Sequence, residues 1–426
     1  MKNANISKAD VLKDLYSKQR FGIKPGLERT LLLSESVGDP HKNLRFIHVA
    51  GTNGKGSICS SIASILMESG YKTGLYTSPH LVDFNERIRV NNYLIADEEL
   101  IEYYLKLKPI SDELGATFFE ITTVIAFMYF NEQNVDFAVI ETGMVGKYDS
   151  TNIIKPILSI ISKIDLDHKE YLGDTIELIA EQKAGIIKIG VPCIISENSA
   201  EVIEVIKKYS DLTQIIKSND VVGCELINNS IDNPIYKTDF LGKSSFNFEF
   251  AIPGKFQYQN LQTVLCAIDL LKSEFNISND SIQSGLKNIV KNTGLSARIQ
   301  TFNTKPIIIL DASHNSNSIL NLAGTLEYFY PDKKWCMIFA IMKDKDNCDA
   351  IDLINKFANK LILPKIKNDR ALSPNEITSK VNPRLLSYTY ITDCTQQAVE
   401  MTNGESNILY FGSFFLIGEV IEILNK

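Results

Sequence analysis

The feature that most constrains this chain is an apolar run that leads through a glycine-rich turn into a helical pattern, FIHVAGTNGKGS at residues 46–57. Residues 45–50 (RFIHVA) predict a buried strand, and residues 58–69 have the apolar period of a helix. Three glycines within six residues weaken a helix start, so they indicate that another group approaches the backbone closely. The pattern therefore predicts a strand–turn–helix unit whose turn lies at the carboxyl edge of a parallel sheet.

Short β-branched runs alternate with helical stretches along the rest of the chain. This alternation is typical of βαβ units and predicts an α/β fold with a mainly parallel sheet. A second series of strand and helix patterns begins at KPIIILDASHN, residues 305–315. Because 426 residues exceed the usual size of one domain, we expect two domains, with the boundary in the polar stretch 291–297.

Charge and cysteine content exclude several classes of protein. The net charge is −7 without a dense basic stripe, which argues against nucleic acid or an anionic membrane surface as the main partner. The seven cysteines are scattered without CxxC spacing, so neither a disulfide framework nor a structural zinc site is expected. The first residues lack the apolar core of a signal peptide, and no run reaches about 18 apolar residues. We therefore expect a cytoplasmic protein and, in the absence of a heptad pattern, a monomer.

The turn at residues 51–57 is predicted to bind phosphate. Backbone N–H groups and the positive end of the helix dipole favour an anion at such a helix start. Lys55 would add a charge over the β- and γ-phosphates, and Ser57 would offer a hydroxyl to Mg²⁺ or to a phosphate oxygen. The spacing departs from G-x-x-x-x-G-K-[ST], so the alternative is a tight turn with a solvated lysine.

Three further groups of polar residues follow predicted strands. Ser78 and His80 follow TGLYT, Glu141 ends a buried strand, and residues 165–168 (DLDH) end another. A buried carboxylate is costly unless it is paired or binds a metal, and hard oxygens with one imidazole suit Mg²⁺ or Mn²⁺ better than Zn²⁺. A divalent-cation site is therefore predicted. The alternatives are a helix N-cap for Ser78, an internal salt bridge for Glu141 and a surface position for His168.

Several longer motifs together carry a family resemblance. They are HVAGTNGKGS, TSPHLVDFNERIRVNN, the ETG strand end, LDHKEYLGDT, EQKAGIIK and DASHN, with GIKPGLERTLLL near the N-terminus and GSFFLIGEV near the C-terminus. These motifs resemble the Mur ligase superfamily, and within it the folylpolyglutamate synthases and bifunctional dihydrofolate synthases. The resemblance spans nearly the whole chain, and TSPHLVDFNERIRV is specific to the folate branch.

The resemblance implies an ATP-dependent amide ligase of folate biosynthesis that also requires Mg²⁺. Such an enzyme joins L-glutamate to a folate or dihydropteroate carboxylate through an acyl phosphate and releases ADP and phosphate. The resemblance also implies an N-terminal P-loop ATPase domain with a mainly parallel sheet and the folate site, residues 1–293. A smaller Rossmann-like domain for glutamate ligation would follow at residues 299–426.

The family's functional positions can be carried onto matching residues of this chain. The residues implied to bind ATP are Thr52, Asn53, Gly54, Lys55, Gly56, Ser57, Asn260, Arg298, Asp311 and His314. Those implied to ligate Mg²⁺ are Ser57, Ser78, Glu141, His168 and Lys183, and those implied to act in catalysis are Lys55, His168 and Lys183. The pterin acceptor is implied to lie near Phe118, Phe119, Glu120, Lys147, Tyr148 and Asp149. Without the resemblance, the aromatic residues of this last group would equally be core.

Lys183 has a special implied role. It matches a lysine that family members carry as a carbamate, an anion able to bind a second Mg²⁺. Without the resemblance, an ordinary helical lysine is the favoured interpretation.

Departures from the family pattern bear mainly on the acceptor. The usual ETGLGGRLDATN is here ETGMVGKYDSTN, which places Val145 at a glycine and Lys147 at an arginine. Lysine does not reproduce the bidentate contacts of arginine, so Lys147 is predicted to influence acceptor choice. Lys163, Ala312 and Ser313 also depart from the pattern. Two alternatives stay open: a Mur-type ligase that acts on a different carboxylate, and an ATP-binding regulator that has lost catalysis.

Overall fold

The fold combines two mainly parallel sheets with helices on both faces. The computed structural model describes residues 6–18, 26–167, 169–228, 230–231, 234–240 and 245–426. Within these residues there are sheets of eight, three and six strands. The α/β prediction, with a mainly parallel sheet followed by a smaller second one, is confirmed.

The first sheet is built around the strand of the glycine-rich turn. Its strands are β1 (Phe46–Ala50), β2 (Thr73–Tyr76), β3 (Ile88–Val90), β4 (Tyr93–Leu94), β5 (Phe137–Glu141), β6 (Leu158–Ile161), β7 (Cys193–Ile195) and β8 (Ile215–Lys217). Their order is β4-β3-β2-β5-β1-β6-β7-β8, and only β3 and β4 run antiparallel to their neighbours. Because β1 pairs with β5 on one side and β6 on the other, the residues after β1 lie at a crevice between diverging connections, where α/β sheets bind ligands.

Helices of the first part of the chain cover both faces of this sheet. They are α1 (Lys8–Ser17), α2 (Glu28–Glu35), α3 (Lys55–Glu68), α4 (Asp97–Glu113), α5 (Phe118–Glu132), α6 (Lys169–Leu172), α7 (Ile176–Ala184), α8 (Ala200–Lys207), α9 (Ser218–Val221), α10 (Tyr258–Lys272), α11 (Asn279–Lys287) and α12 (Ile289–Thr293). The apolar side of α3 packs against α10 and α11, and α5 packs on the opposite face with α4. Short 3₁₀ helices occur at Pro40–Asn43, Phe84–Arg87 and Ser150–Ile153.

A small antiparallel sheet was not among the sequence predictions. It consists of β9 (Val222–Leu226), β10 (Ile235–Phe240) and β11 (Ser245–Glu249), in the order β11-β10-β9. Strand β9 packs against α10, so this sheet extends the core of the first domain.

The second domain repeats the parallel architecture on a smaller scale. Its strands are β12 (Gln300–Thr304), β13 (Ile307–Asp311), β14 (Trp335–Phe339), β15 (Ala358–Pro364), β16 (Thr389–Thr392) and β17 (Asn407–Phe411), in the order β12-β13-β17-β14-β15-β16. Its helices are α13 (Ser316–Phe329), α14 (Cys348–Phe357), α15 (Pro374–Thr378), α16 (Pro383–Leu386), α17 (Thr395–Glu400) and α18 (Phe414–Leu424). Only β12 is antiparallel to its neighbour.

The chain passes once from the first sheet to the second, between α12 and β12. The predicted domain limits, 293 and 299, fall on either side of this connection, although residues 291–293 of the predicted boundary belong to α12. Helix α18 meets the first domain at Gly418, where a β-carbon would collide with the carbonyl oxygen of Leu81. Across the described residues, no helix combines the length and apolar character needed to span a bilayer.

Candidate active site

A cavity of about 740 Å³ lies between the two domains. Its walls come largely from residues at the ends of strands of both sheets or shortly after them: 51–57 after β1, 78–81 after β2, 143–144 after β5, Lys163 after β6, Asp311 at the end of β13 and 312–314 after it, Met342, Asp344 and Lys345 after β14, and 413–415 after β17. The carboxyl edges of the two sheets therefore face the same space.

The glycine-rich turn presents an open helix end to this cavity. Helix α3 begins at Lys55, three residues earlier than its apolar period indicated, and its first helical hydrogen bond runs from Ile58 N to Gly54 O. The N–H groups of residues 55–57 consequently have no carbonyl partner within the helix, and no side chain caps them. Gly54 has φ +87°, and a β-carbon there would collide with the side-chain oxygen of Asn260. Such an end favours an anion.

The turn is tied to the end of β6. The N–H groups of Thr52 and Asn53 donate to the Lys163 carbonyl, at 2.8 and 3.1 Å. The Asn53 side chain donates to Asp165 Oδ2 at 3.1 Å, and burial raises the pKa of Asp165. Asn53 therefore shapes the turn, with its amide nitrogen already engaged.

Lys55 and Glu141 face each other at the open helix end. The Lys55 side chain is only 12% exposed, and its Nζ lies 3.9 Å from Glu141 Oε1, so the alternative of a solvated lysine is wrong. Glu141 Oε2 accepts a hydrogen bond from the backbone N–H of Ser78 at 3.0 Å. Burial raises the pKa of Glu141, while the Lys55 charge opposes that rise. The internal ion pair considered for Glu141 is thus present, but at a distance too long for a hydrogen bond.

The oxygen donors at this point fit Mg²⁺. The Glu141 carboxylate lies beside the first turn of α3, where a β-carbon on Gly56 would be 3.5 Å from Oε2, and the hydroxyls of Ser57 and Ser78 line the same cavity. In the part of the chain that the structure describes, no three His, Cys, Asp or Glu residues form a metal cage. Mg²⁺ does not need one, because it usually binds one or two carboxylates, substrate phosphates and water. The predicted ligand His168 lies outside the described residues.

Lys183 is not an ordinary helical lysine. It lies in α7 with 2% exposure, and its Nζ donates to the carbonyls of Gly51 at 2.8 Å and Met144 at 3.0 Å. Burial, together with the nearby Lys55 charge, lowers the pKa of Lys183 to about 7. A substantial fraction of the amine is therefore neutral near pH 7, and a neutral amine is a nucleophile.

The second domain holds Arg298 in the cavity through strained backbone. Ala297 and Ile299, which flank Arg298, have φ +58° and +51°, a conformation costly for residues with a β-carbon. Asp311 stabilises this segment by accepting the Ile299 N–H at 2.7 Å. The guanidinium of Arg298 lies 5.2 Å from the ring centre of Phe414. The structure thus brings the predicted residues Arg298 and Asp311 together.

Polar contacts join the two domains next to the turn. The Asn315 side chain donates to Asn53 Oδ1 at 3.1 Å, and Lys345 Nζ lies 2.6 Å from Asp167 Oδ1. His314 also lines the cavity; its Nδ1 donates to a backbone carbonyl two residues earlier, and burial lowers its pKa. The sequence analysis missed Lys345, although it follows β14 and the strand-end rule extends to it.

The residues predicted near the acceptor lie behind the cavity wall. Phe118 stacks on Tyr16 at 5.6 Å, and Phe119 packs near Tyr76 at 6.0 Å between ring centres. Glu120 pairs with Arg29 at 2.9 Å and also caps α5. None of the three is among the described residues that line the cavity.

Residues 147–149 also lie outside the cavity wall in the described part of the chain. Lys147 Nζ sits 5.2 Å over the Tyr148 ring, and Asp149 caps the following 3₁₀ helix by accepting from Thr151. The predicted acceptor contacts at residues 118–120 and 147–149 therefore stay predictions.

Comparisons with known proteins agree with this architecture. The pattern of the Mur ligase middle domain matches residues 49–268, and that of the Mur ligase, glutamate ligase domain matches residues 297–414. The dihydrofolate synthase/folylpolyglutamate synthase of Bacillus subtilis is 32% identical over 420 residues, which cover 95% of this chain and 96% of that protein.

Solved structures agree as well. The folylpolyglutamate synthase of Thermotoga maritima has a TM-score of 0.86 and 29% identity, over 98% of this chain and 97% of that one. A structure described as the FPGS–AMPPCP complex has a TM-score of 0.83 and 26% identity, over 99% of this chain and all (100%) of that one. The predicted resemblance is confirmed: this chain belongs to the Mur ligase superfamily, in its folylpolyglutamate and dihydrofolate synthase branch.

Proposed function

We propose that this protein is an ATP-dependent ligase that adds L-glutamate to the carboxylate of dihydropteroate, of a folylpolyglutamate, or of both. The observation that carries the proposal is the open N-terminus of α3, where Lys55 and Glu141 face the second domain across the cavity. The names of its relatives support the reaction, and the FPGS–AMPPCP complex supports ATP because AMPPCP is an ATP analogue.

In the first step, a carboxylate oxygen of the acceptor attacks the γ-phosphorus of ATP. The bond from that phosphorus to the bridging oxygen breaks, ADP leaves with the electron pair, and an acyl phosphate forms. Two anions must approach each other in this step. The N–H groups of residues 55–57 and the Lys55 ammonium would offset the charge on the phosphoryl oxygens.

In the second step, the neutral amine of L-glutamate attacks the acyl carbon. Phosphate leaves, the amide forms, and the amine proton passes to phosphate or to solvent. The acyl phosphate would hydrolyse if water reached it. Closure of the two domains, held by the Lys345–Asp167 and Asn315–Asn53 contacts, would exclude that water.

Mg²⁺ would be held by the Glu141 carboxylate and the hydroxyls of Ser57 and Ser78. When bound, it supplies positive charge that neutralises the phosphates. We further propose that Lys183 is carboxylated: its neutral amine would add to carbon dioxide, lose a proton and form a carbamate. Its burial and its pKa of about 7 support this, because an exposed lysine would be almost fully protonated and unreactive.

The proposal includes a monomeric enzyme in the cytoplasm. All seven cysteines are free thiols, as expected in a reducing compartment. Gel filtration with light scattering tests the monomer: the expected mass is close to 47.8 kDa, and a concentration-independent dimer would contradict it.

The first test is phosphate release by the purified protein with ATP, Mg²⁺ and L-glutamate, with dihydropteroate, tetrahydrofolate or no acceptor. We expect release that requires a pterin acceptor, and a product heavier by one glutamyl residue in mass spectrometry. Lys55→Ala should lower the rate by about 10²–10³-fold, the size of effect seen when a charge-stabilising donor is removed. Lys106→Ala, at an exposed i,i+4 pair with Glu102, is the matched control.

The other outcomes separate the alternatives. Turnover with a different carboxylate but neither pterin would mean a Mur-type ligase of another specificity. ATP binding without turnover on any acceptor would mean a regulator. Lys147→Arg tests the departure from the family pattern, with an altered ratio of kcat/KM for the two pterins as the expected result. An unchanged ratio would remove Lys147 from the determinants of specificity.

A further inference from the structure

Arg87 is a buried cation at the cavity wall. It ends the 3₁₀ helix Phe84–Arg87 with 7% exposure, and its Nε donates to His80 Nδ1 at 2.7 Å. In the described part of the chain, no carboxylate oxygen lies within 4.0 Å of its guanidinium. The carboxylates of Glu141 and Glu86 act on this charge only from a greater distance. A buried charge without an opposite charge in direct contact is costly, so this arrangement is explained most simply by an anion that arrives with a ligand.

The surroundings of Arg87 compensate its charge only in part. The guanidinium lies 5.3 Å from the ring centre of Phe118 and 5.9 Å from that of Phe84. Aromatic faces attract a cation but accept no directed hydrogen bond of normal strength. Of the five N–H donors of the guanidinium, His80 takes the one on Nε, which leaves the terminal fork that suits a carboxylate.

His80 supplies a second donor at the same wall. Because the arginine Nε can only donate, His80 Nδ1 must accept, and the proton of the neutral ring is therefore on Nε2. That Nε2 lies 3.4 Å from the hydroxyl of Tyr16, and Tyr16, His80 and Arg87 all line the cavity. The three side chains form a group that we call the Arg87 subsite.

The position of the Arg87 subsite indicates which substrate it contacts. The Arg87 carbonyl accepts the N–H of Thr77 at 3.0 Å, directly before Ser78, which contacts Glu141. On its other side lies Phe118, in the segment predicted to contact the pterin. The glutamate ligase domain, residues 297–414, contributes other residues of the same cavity, such as Arg298 and Phe414.

We propose that the Arg87 subsite binds a carboxylate of the acceptor, between the pterin and the phosphate loop. This rests on the proposed function, since it assigns a contact to the acceptor of that reaction. Two carboxylates have the required chemistry: the one that becomes the amide, present in every acceptor, and the non-reacting α-carboxylate, present only in glutamyl acceptors.

The experiment compares KM values of wild type, Arg87→Gln and Arg87→Lys. Dihydropteroate has one carboxylate and tetrahydrofolate has two, so the two acceptors distinguish the sources. Arg89→Gln is the matched control, because Arg89 follows in β3 and donates to the Asn92 carbonyl at 3.4 Å. KM for ATP and for L-glutamate is measured in every variant.

We expect Arg87→Gln to raise KM for an acceptor by about 10- to 100-fold, as for loss of a charge-assisted hydrogen bond to a carboxylate. A higher KM for both acceptors would mean that Arg87 binds the reacting carboxylate. A higher KM for tetrahydrofolate alone would mean that it binds the α-carboxylate. Unchanged KM for both acceptors, or an equal rise for ATP and L-glutamate, would overturn the proposal. Should Arg87→Gln fail to fold by circular dichroism, Arg87→Lys replaces it, with an expected rise of about tenfold because lysine lacks the planar fork.

Calorimetric binding of the two acceptors without ATP separates this proposal from the proposed function. A wild-type protein that binds an acceptor without turnover would contradict the function alone, and weaker binding by Arg87→Gln would still support the subsite. A wild-type protein that binds neither acceptor would overturn both.

Discussion

Two strand–loop–helix units face the same cavity but end differently. In the unit β1–α3, the residue before the helix is Gly54, and no side chain caps the first turn. In the unit β13–α13, that residue is Asn315, whose Oδ1 accepts the Ser318 N–H at 3.0 Å, while Ser318 Oγ accepts the Asn315 N–H at 3.2 Å. We call the first the open unit and the second the capped unit.

The difference shows which feature of a strand–loop–helix unit decides whether it can bind an anion or instead contacts the other domain. Both turns lie at a carboxyl edge, which only marks a place where ligands collect. In the open unit, the free N–H groups can bind phosphate. In the capped unit the Ser318 N–H already donates to Asn315 Oδ1, and the same turn contacts the other domain, through Asn315 to Asn53. A helix start without a side-chain cap is suited to bind an anion, whereas the capped helix start contacts the other domain.

Loss of the docking contacts should have the largest effect. Lys345 and Asp167 pair across the domains with side chains 10% and 9% exposed. Lys345→Met leaves a buried carboxylate with only hydrogen bonds to stabilise it, so we expect a loss of about 3 kcal/mol in the free energy of unfolding. Urea denaturation measures it, with the exposed Lys343→Met as control. A loss no greater than in the control would mean that the pair does not hold the domains.

The second largest effect is expected from a substitution at Gly54 of the open unit, which should weaken ATP binding. Gly54→Ala places a β-carbon against Asn260 at φ +87°, which shifts the turn and its N–H groups. We expect the Kd for ATP to rise about tenfold or more, about 1.4 kcal/mol. Gly38→Ala is the control for strain alone, since Gly38 has φ +84° and nothing within 4 Å of the added carbon. Equal Kd values for the two variants would show that the Asn260 contact is irrelevant.

The buried amine of Lys183, which donates to the Gly51 carbonyl beside the open unit, should make the free energy of unfolding depend on pH. The pKa of Lys183 is about 7 when folded and near its usual 10.5 when unfolded. The unfolded chain therefore binds more protons between these values, so stability should rise with pH in that window. The slope is up to about 1.4 kcal/mol per pH unit.

Urea unfolding in CO₂-free buffer at several pH values measures this slope. Lys183→Met should flatten the curve, whereas Lys207→Met, at an exposed ion pair, should not. Parallel curves for wild type and Lys183→Met would refute the buried titration. Added bicarbonate that stabilised only wild type would support the carbamate.

Removing the cap should have the smallest effect. Asn315→Ala uncaps α13, which costs about 1 kcal/mol of stability. Ser278→Ala removes an equivalent cap from α11 without a contact to the second domain. The excess loss in Asn315→Ala over Ser278→Ala measures the docking contacts of the capped unit, and ATP affinity should not change. A large loss of ATP affinity would mean that the capped unit also binds the nucleotide.

The fold and the glycine-rich turn were predictable because their signals are local. Apolar periods give β1 and α3, and the excess of glycine marks the turn, although it also hid the true start of α3 at Lys55. The T-x-x-E pattern at Thr117–Glu120 is a capping box that was readable as such, and it explains why Glu120 is engaged within its own helix.

The contacts between the domains and those around Arg87 were not predictable in the same way. Lys345 and Asp167 are 178 positions apart, and no local pattern joins them. Arg87 reads as one residue of a family motif until the fold brings Tyr16 and Phe118 beside it. The three-stranded antiparallel sheet was missed because its strands are short and only partly buried on one face, which gives a weak alternation.

Because Gly418 has no side chain, α18 can lie directly against the first domain. Helix α18 lies so close to the Leu81 carbonyl that no β-carbon fits. Any residue larger than glycine at this position would therefore require α18 or the loop at Leu81 to move. A single added carbon here would push α18 away from Leu81, a residue of the cavity wall, and would thus favour separation of the two domains.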